Sequence, residues 1–120
     1  MLSFLSDAME NYITMHSEEE PSLLRELRLF TENNSPAPQM LSGNIVGRFL
    51  RSMVKITNSR SILEIGTFTG YSALCLAEGI LEDGEVVTLD KDSNAHRIAS
   101  KFFERSPYKN KIVSIQGDAI

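Results

Sequence analysis

Two periodicities divide the chain. Up to about residue 57, apolar residues recur at three- and four-residue spacing, the mark of amphipathic helices. Leu5, Met9, Tyr12 and Ile13 fall on one helical face. Leu23, Leu24, Leu27 and Phe30 form a second stripe, and Ile45, Val46, Phe49, Leu50 and Met53 a third that runs to about Ile56. Ser17 followed by Glu18, Glu19 and Glu20 predicts the start of the second helix, with Pro21 in its first turn and acids suited to the helix dipole. The triple acid reads as a solvated helix start rather than a metal site. ENNSPAPQ, residues 32–39, predicts a loop, and TNSR, after the third helix, a short turn.

From residue 61 the pattern changes. SILEIG is a short, nearly continuous apolar run, as expected of a strand covered on both faces. SALCLAEGIL has helical spacing, and EVVTLD is a second strand after a turn at Glu82-Asp83-Gly84. SNAHRIASKFFER predicts a helix capped by Asp92 or Ser93, with Ala95, Ile98, Ala99 and Phe102 buried. KIVSIQGD is a third strand. Alternating strands and helices imply a parallel sheet with right-handed crossovers, and so the first half of a doubly wound α/β fold. Residues 1–57 are expected to form a helical extension, and residues 58–120 the first three strands and two helices of the sheet domain.

Chemistry is expected where parallel strands end, because ligands of open α/β sheets bind beyond the carboxyl ends of the strands. That singles out Glu64 to Tyr71, Asp90, and Asp118 with Ala119. Glu64 interrupts an apolar run, and a buried carboxylate is costly without a partner. Gly66 and Gly70 frame the first turn with Gly-x-x-x-Gly spacing, and Phe68 stands where a dinucleotide site has its middle glycine. This disfavours NAD or FAD and admits a smaller ligand without phosphate. Asp90 suits the two hydroxyls of a ribose, or else caps the next segment. Asp118 could accept the amine of an adenine or serve as a turn residue. Ser72 either caps its helix or binds a ligand carboxylate. Tyr71 packs over a ligand or fills core. Met40 closes over a flat ligand or makes a plain core contact. His16 and His96 read as surface residues.

Composition narrows the classes. The 120 residues are 42% hydrophobic and 23% charged, as in ordinary globular domains. A net charge of −4 argues against nucleic acid as a partner. No apolar run nears the roughly 18 residues of a membrane span, and the N-terminus lacks the features of a secretory signal. The single cysteine, Cys75, sits in an apolar stretch and reads as a core residue. The cytoplasm is the expected compartment.

From about Pro38 onward, QMLSGNIVGRFLRSMVKI, LEIGTFTGYSALCLAEGILEDGEVVTLDKD and GDA together resemble the class I S-adenosylmethionine-dependent O-methyltransferases, and within them the caffeoyl-CoA and catechol O-methyltransferase group. LEIGTFTGYS is the most specific stretch. The resemblance implies an N-terminal helical extension before a Rossmann-like sheet. It implies that Met40, Leu41 and Ser42 lie on the methionine end of S-adenosylmethionine, and that Glu64 and Gly66, with Thr67 in the same turn, flank its amino acid part. Ser72 would bind its carboxylate and Tyr71 would pack near the sulfonium. Asp90, with Lys91 beside it, would hold the ribose, and Asp118 and Ala119 would border the adenine. Members of the group run to roughly twice this length. They transfer a methyl to a hydroxyl of a small aromatic, catechol-like acceptor with a divalent metal such as Mg, using a metal-binding acid after the fourth strand and, further on, a second acid, an Asn and a base lysine. None of these lies within the 120 residues. The chain is therefore expected to be the N-terminal half of such an enzyme or a shortened product, inactive alone. With SILEIG as an open apolar edge, it is expected to be marginally stable or self-associating, as a homodimer or otherwise. The alternatives are a non-catalytic module binding S-adenosylmethionine or adenosine and, more remotely, a nicotinamide-dependent oxidoreductase.

Overall fold

The structure, a computed structural model, describes residues 4–120. Five α-helices and three strands follow in the order α1 (Asp7–Met15), α2 (Ser22–Asn34), α3 (Gly43–Thr57), β1 (Ser61–Ile65), α4 (Tyr71–Gly79), β2 (Glu85–Asp90), α5 (Ser93–Arg105) and β3 (Ile112–Gln116), with short 3₁₀ turns at Pro38–Met40 and Lys109–Lys111. The strands are parallel in the order β1-β2-β3. This is the first half of a doubly wound sheet, preceded by a helical extension.

Local chemistry explains the boundaries. Asp92 caps α5 by accepting from the backbone N–H groups of Asn94 and Ala95 at 2.9 and 3.1 Å. α3 ends at Asn58, whose left-handed φ of +50° terminates the helix. The second helix starts later than the sequence pattern suggests. Pro21 is its N-cap, and Glu18, Glu19 and Glu20 lie in the linker before it. The triple acid is not a solvated helix start. Glu20 is half-buried and receives three guanidinium contacts from Arg28 at 3.0–3.2 Å, while Glu18 pairs with Arg51.

Both crossovers step the same way across the sheet, so right-handed connections put α4 and α5 on one face. There Leu74, Ala99, Phe102 and Phe103 meet Leu24 and Leu27 of α2 in one core, and Val86, Ala77, Ile80 and Val54 form a second. α3 packs closely on α4, because at Gly47 a Cβ would come within 2.6 Å of Cys75 Sγ. Arg48, on the same turn, makes a two-pronged ion pair with Glu78 of α4 at 3.0 and 2.6 Å.

The opposite face of the sheet is bare. Leu63 is 65% and Ile65 68% exposed, and Val113 and Ile115 share their side. The expectation that β1 is covered on both faces is thus corrected. Its continuous apolar pattern is that of a doubly buried strand, but the described residues put helices on one side only. α1 also departs from expectation. Its stripe is regular, yet no residue of the helix is buried.

Candidate functional site

The chain leaves β1 through a tight turn built on left-handed residues. Gly66 has φ +100°, Phe68 +50° and Gly70 +96°. The N–H groups of Gly66 and Thr67 both donate to the Leu89 carbonyl, at 2.8 and 3.1 Å, which ties the turn to the end of β2. Gly70 is doubly required, because a Cβ there would also strike the Phe103 ring at 2.7 Å. A Cβ on Gly66 would meet nothing within 4 Å, so the strand tip faces open space where a ligand can approach the backbone. Phe68 is a non-glycine residue in a disfavoured region. Its N–H donates to Asp90 Oδ2 at 2.7 Å, which helps hold it there.

Glu64 points to the helix-covered face and finds its partners within the chain. Ser72 Oγ donates to Oε2 at 2.6 Å and Thr88 Oγ1 to Oε1 at 2.7 Å. Thr67 Oγ1 lies 2.6 Å from Thr88 Oγ1. Since the single Thr88 proton goes to Glu64, Thr67 donates to Thr88, giving a directed hydroxyl chain onto the carboxylate. Burial raises the Glu64 pKa above its ordinary value, the two hydroxyls oppose that, and the nearby Asp90 charge adds to it. While it donates to Glu64, the Ser72 hydroxyl has no proton for a ligand carboxylate. Backbone N–H groups at the start of α4 are the donors left for one. Ser72 does not cap α4 either, which has Gly70 at its N-cap.

Asp90 sits where the strand tips meet. Oδ2 takes the Phe68 N–H, and Oδ1 takes the Asp92 N–H at 2.9 Å. Each oxygen keeps a further lone pair for ligand hydroxyls. The Asp90 carbonyl accepts from Gly117, joining the end of β3 to that of β2. Two hollows open here and share Gly66 and Asp90. One, of about 330 Å³, is lined by Met40, Phe68, Pro36 and Ile98 as well. The other, of about 500 Å³, is lined also by Lys91, Asp118 and Ala119.

The geometry thus gathers Met40, Gly66, Asp90, Asp118 and Ala119 around one connected surface. Ser42 lies apart, in a separate hollow beside α1. Thr67 and Tyr71 are buried behind the turn and line neither of the two. Tyr71 is 2% exposed, and its hydroxyl donates to Glu20 Oε1 at 2.6 Å. Burial first, and then Glu20, push its phenol pKa far up.

With this geometry in view, the comparisons with known proteins are direct. A family model described as O-methyltransferase matches residues 14–120. The chain belongs to the O-methyltransferase family. A caffeoyl-CoA O-methyltransferase from Populus kitakamiensis is 38% identical, over 95% of this chain and 50% of the relative. The tapetum-specific methyltransferase 1 of Arabidopsis thaliana is 34% identical, over 96% of this chain and 51% of its own length. Among solved structures, an O-methyltransferase from Bacillus cereus in complex with SAH superposes with a TM-score of 0.83 at 33% identity, covering 93% of this chain and 50% of that one. An SAH-bound methyltransferase from Podospora anserina gives a TM-score of 0.86 at 25% identity, covering 99% and 54%. The chain therefore spans about half the length of the curated relatives it matches.

The donor set of this chain suits an adenosyl ligand: a carboxylate with spare lone pairs at the middle strand, open backbone at Gly66, and an acid at the third tip. Among the described residues no three His, Cys, Asp or Glu side chains cluster as a metal site. Sequence reasoning gave Thr88 no role and took Glu20 only as part of a helix start, whereas Thr88 serves Glu64 and Glu20 accepts from Tyr71. A signal for Thr88 exists. Glu64, Thr88 and Ser114 are register partners across the three neighbouring strands, close to their carboxyl ends.

Proposed function

We propose that this chain is the methyl-donor-binding half of an S-adenosylmethionine-dependent O-methyltransferase whose acceptor is the hydroxyl of a small aromatic, catechol-like compound. The observation that carries the reading is the convergence of Gly66, Asp90, Asp118 and Ala119 on one hollow at the ends of three parallel strands. Asp90 would take the ribose hydroxyls, Asp118 and Ala119 would border the adenine, and Met40 would lie over the methionine end. SAH-bound relatives of the same fold support this assignment. A divalent metal, where the whole enzyme uses one, would be held by residues outside the 120, and it would orient the acceptor oxygens and lower the hydroxyl pKa. The bare sheet face and the open edge of β1 are the surfaces on which the remaining elements of a doubly wound sheet would pack.

Calorimetric titration with S-adenosylhomocysteine tests the reading, with NADH as the control. Saturable binding of the first and none of the second is expected. An assay with caffeoyl-CoA, S-adenosylmethionine and Mg²⁺ should give no methyl transfer from this chain alone. Binding of NADH without S-adenosylhomocysteine would sink the assignment.

A further inference from the structure

Two hydrogen bonds reach from the helical extension to the back of the glycine turn, one on each side of Gly70. Thr31 Oγ1 of α2 lies 2.9 Å from Thr69 Oγ1, and both residues are buried. Thr31 already donates to the Leu27 carbonyl at 2.8 Å, so Thr69 is the donor in this pair. On the other side, Tyr71 donates to Glu20, and Arg28 grips the same carboxylate through Nε and Nη2 at 3.1 and 3.0 Å. These bonds join residues 38 and 51 positions apart.

We propose that Glu20 and Thr31 are positioning residues that hold the 66–71 turn in its ligand-ready shape, so that the helical extension tunes cofactor affinity without touching the cofactor. The proposal rests on the reading of this site as the methyl-donor site. Thr69 and Tyr71 flank Gly70, so anchoring both fixes its left-handed geometry. Phe68, next in line, is a non-glycine residue at φ +50° and relaxes out of that region unless its neighbour is held. Relaxation withdraws the Phe68 N–H from Asp90 and frees the carboxylate that faces the ligand. The route thus runs from the extension to Thr69 and Tyr71, then to Phe68, then to Asp90.

A purely structural role would change stability alone, so the test reads affinity and local exchange beside it. Thr31→Val keeps shape and removes the acceptor for Thr69, while Tyr71→Phe keeps the ring and removes the bond to Glu20. Each is expected to weaken S-adenosylhomocysteine binding ~3- to 10-fold by calorimetry, the scale of one lost hydrogen bond. Each should also speed hydrogen exchange at the Phe68 amide. Thr31→Ser should restore both. Glu26→Gln, which cuts an exposed pair between α2 and Arg105, should move neither. Variants that lower the melting temperature yet keep wild-type affinity and wild-type Phe68 exchange would overturn the proposal. Failure of the wild-type chain to bind would instead overturn the cofactor reading. Exchange at Phe68 would then decide by itself whether Glu20 and Thr31 hold the turn, faster in both variants upholding that hold and unchanged in both overturning it.

Discussion

Glu64 and Thr88 are register partners on β1 and β2, and the Thr88 hydroxyl donates to the Glu64 carboxylate over 2.7 Å. Together with Ser72, this answers how an acid sits within an apolar strand, since two hydroxyls from the chain itself offset part of its desolvation. The offset is incomplete, because burial still raises the Glu64 pKa.

That imbalance sets a pH dependence. Between the ordinary carboxyl value of 4.5 and the raised folded value, the folded state holds a proton that the unfolded state has released. Stability attributable to Glu64 is therefore full below about pH 4.5 and lost as pH rises through the folded pKa. Relative to Glu64→Gln, the wild-type chain should lose stability across that window and then run parallel to the variant. Urea unfolding of both proteins from pH 4 to 8 checks this, and parallel curves throughout would remove the effect.

Asp90 supports the turn as well as facing the hollow, so its replacement acts twice. Asp90→Ala leaves the Phe68 and Asp92 N–H groups without their acceptors and removes the group assigned to the ribose. A loss on the order of 1–3 kcal/mol in S-adenosylhomocysteine affinity is expected. Asp90→Asn should do little better. One of the two N–H groups would then face an amide NH₂, which cannot accept. Calorimetry on both variants checks the pair, and wild-type affinity in Asp90→Asn would show that the turn does not depend on a second carboxylate oxygen.

Most of the sheet domain was legible in the sequence because its signals are local. EVVTLD and SNAHRIASKFFER coincide with β2 and α5 residue for residue, since a short β-rich run and a capped amphipathic stretch each carry their own ends. Cys75 is buried, as its apolar setting implies. What was not legible depends on long-range partners. The triple acid reads as a helix start by local rules, yet Glu20 is claimed by Arg28 and Tyr71. Ser72 at a helix start looks like a cap or a ligand donor, and only the fold reveals Glu64 beneath it. SILEIG has the composition of a doubly covered strand, which says nothing about which elements are there to cover it.

The Arg48–Glu78 pair is the main polar link between α3 and α4. Arg48 is buried, Glu78 nearly so, and Arg51 Nε lies 3.1 Å from the same carboxylate. Glu78→Gln would leave two guanidinium groups facing a neutral amide in a poorly hydrated seam. A loss of about 3 kcal/mol in unfolding free energy is expected, at the lower end for a broken buried pair. Arg48→Met with Glu78→Leu should recover much of it by replacing charge with packing. Chemical denaturation of the two variants beside the wild type tests this, and a Glu78→Gln protein as stable as wild type would reduce the pair to an incidental contact.

The bare sheet face has a consequence for the chain in solution. Leu63 and Ile65 on the edge strand β1 present apolar side chains beside unpaired backbone groups, and Val113 and Ile115 extend the same surface. Such an edge promotes pairing with another chain, and a charge on it blocks that. Sedimentation should show concentration-dependent association of the wild-type chain. Ile65→Lys with Val113→Lys should shift it to monomer. Because both side chains already face solvent, the melting temperature of the monomer should barely change. A wild-type chain that stays monomeric at high concentration would mean that this face does not drive assembly. A double variant that still associates would move the contact to another surface, with the exposed α3 stripe of Phe49, Met53 and Ile56 the first to examine.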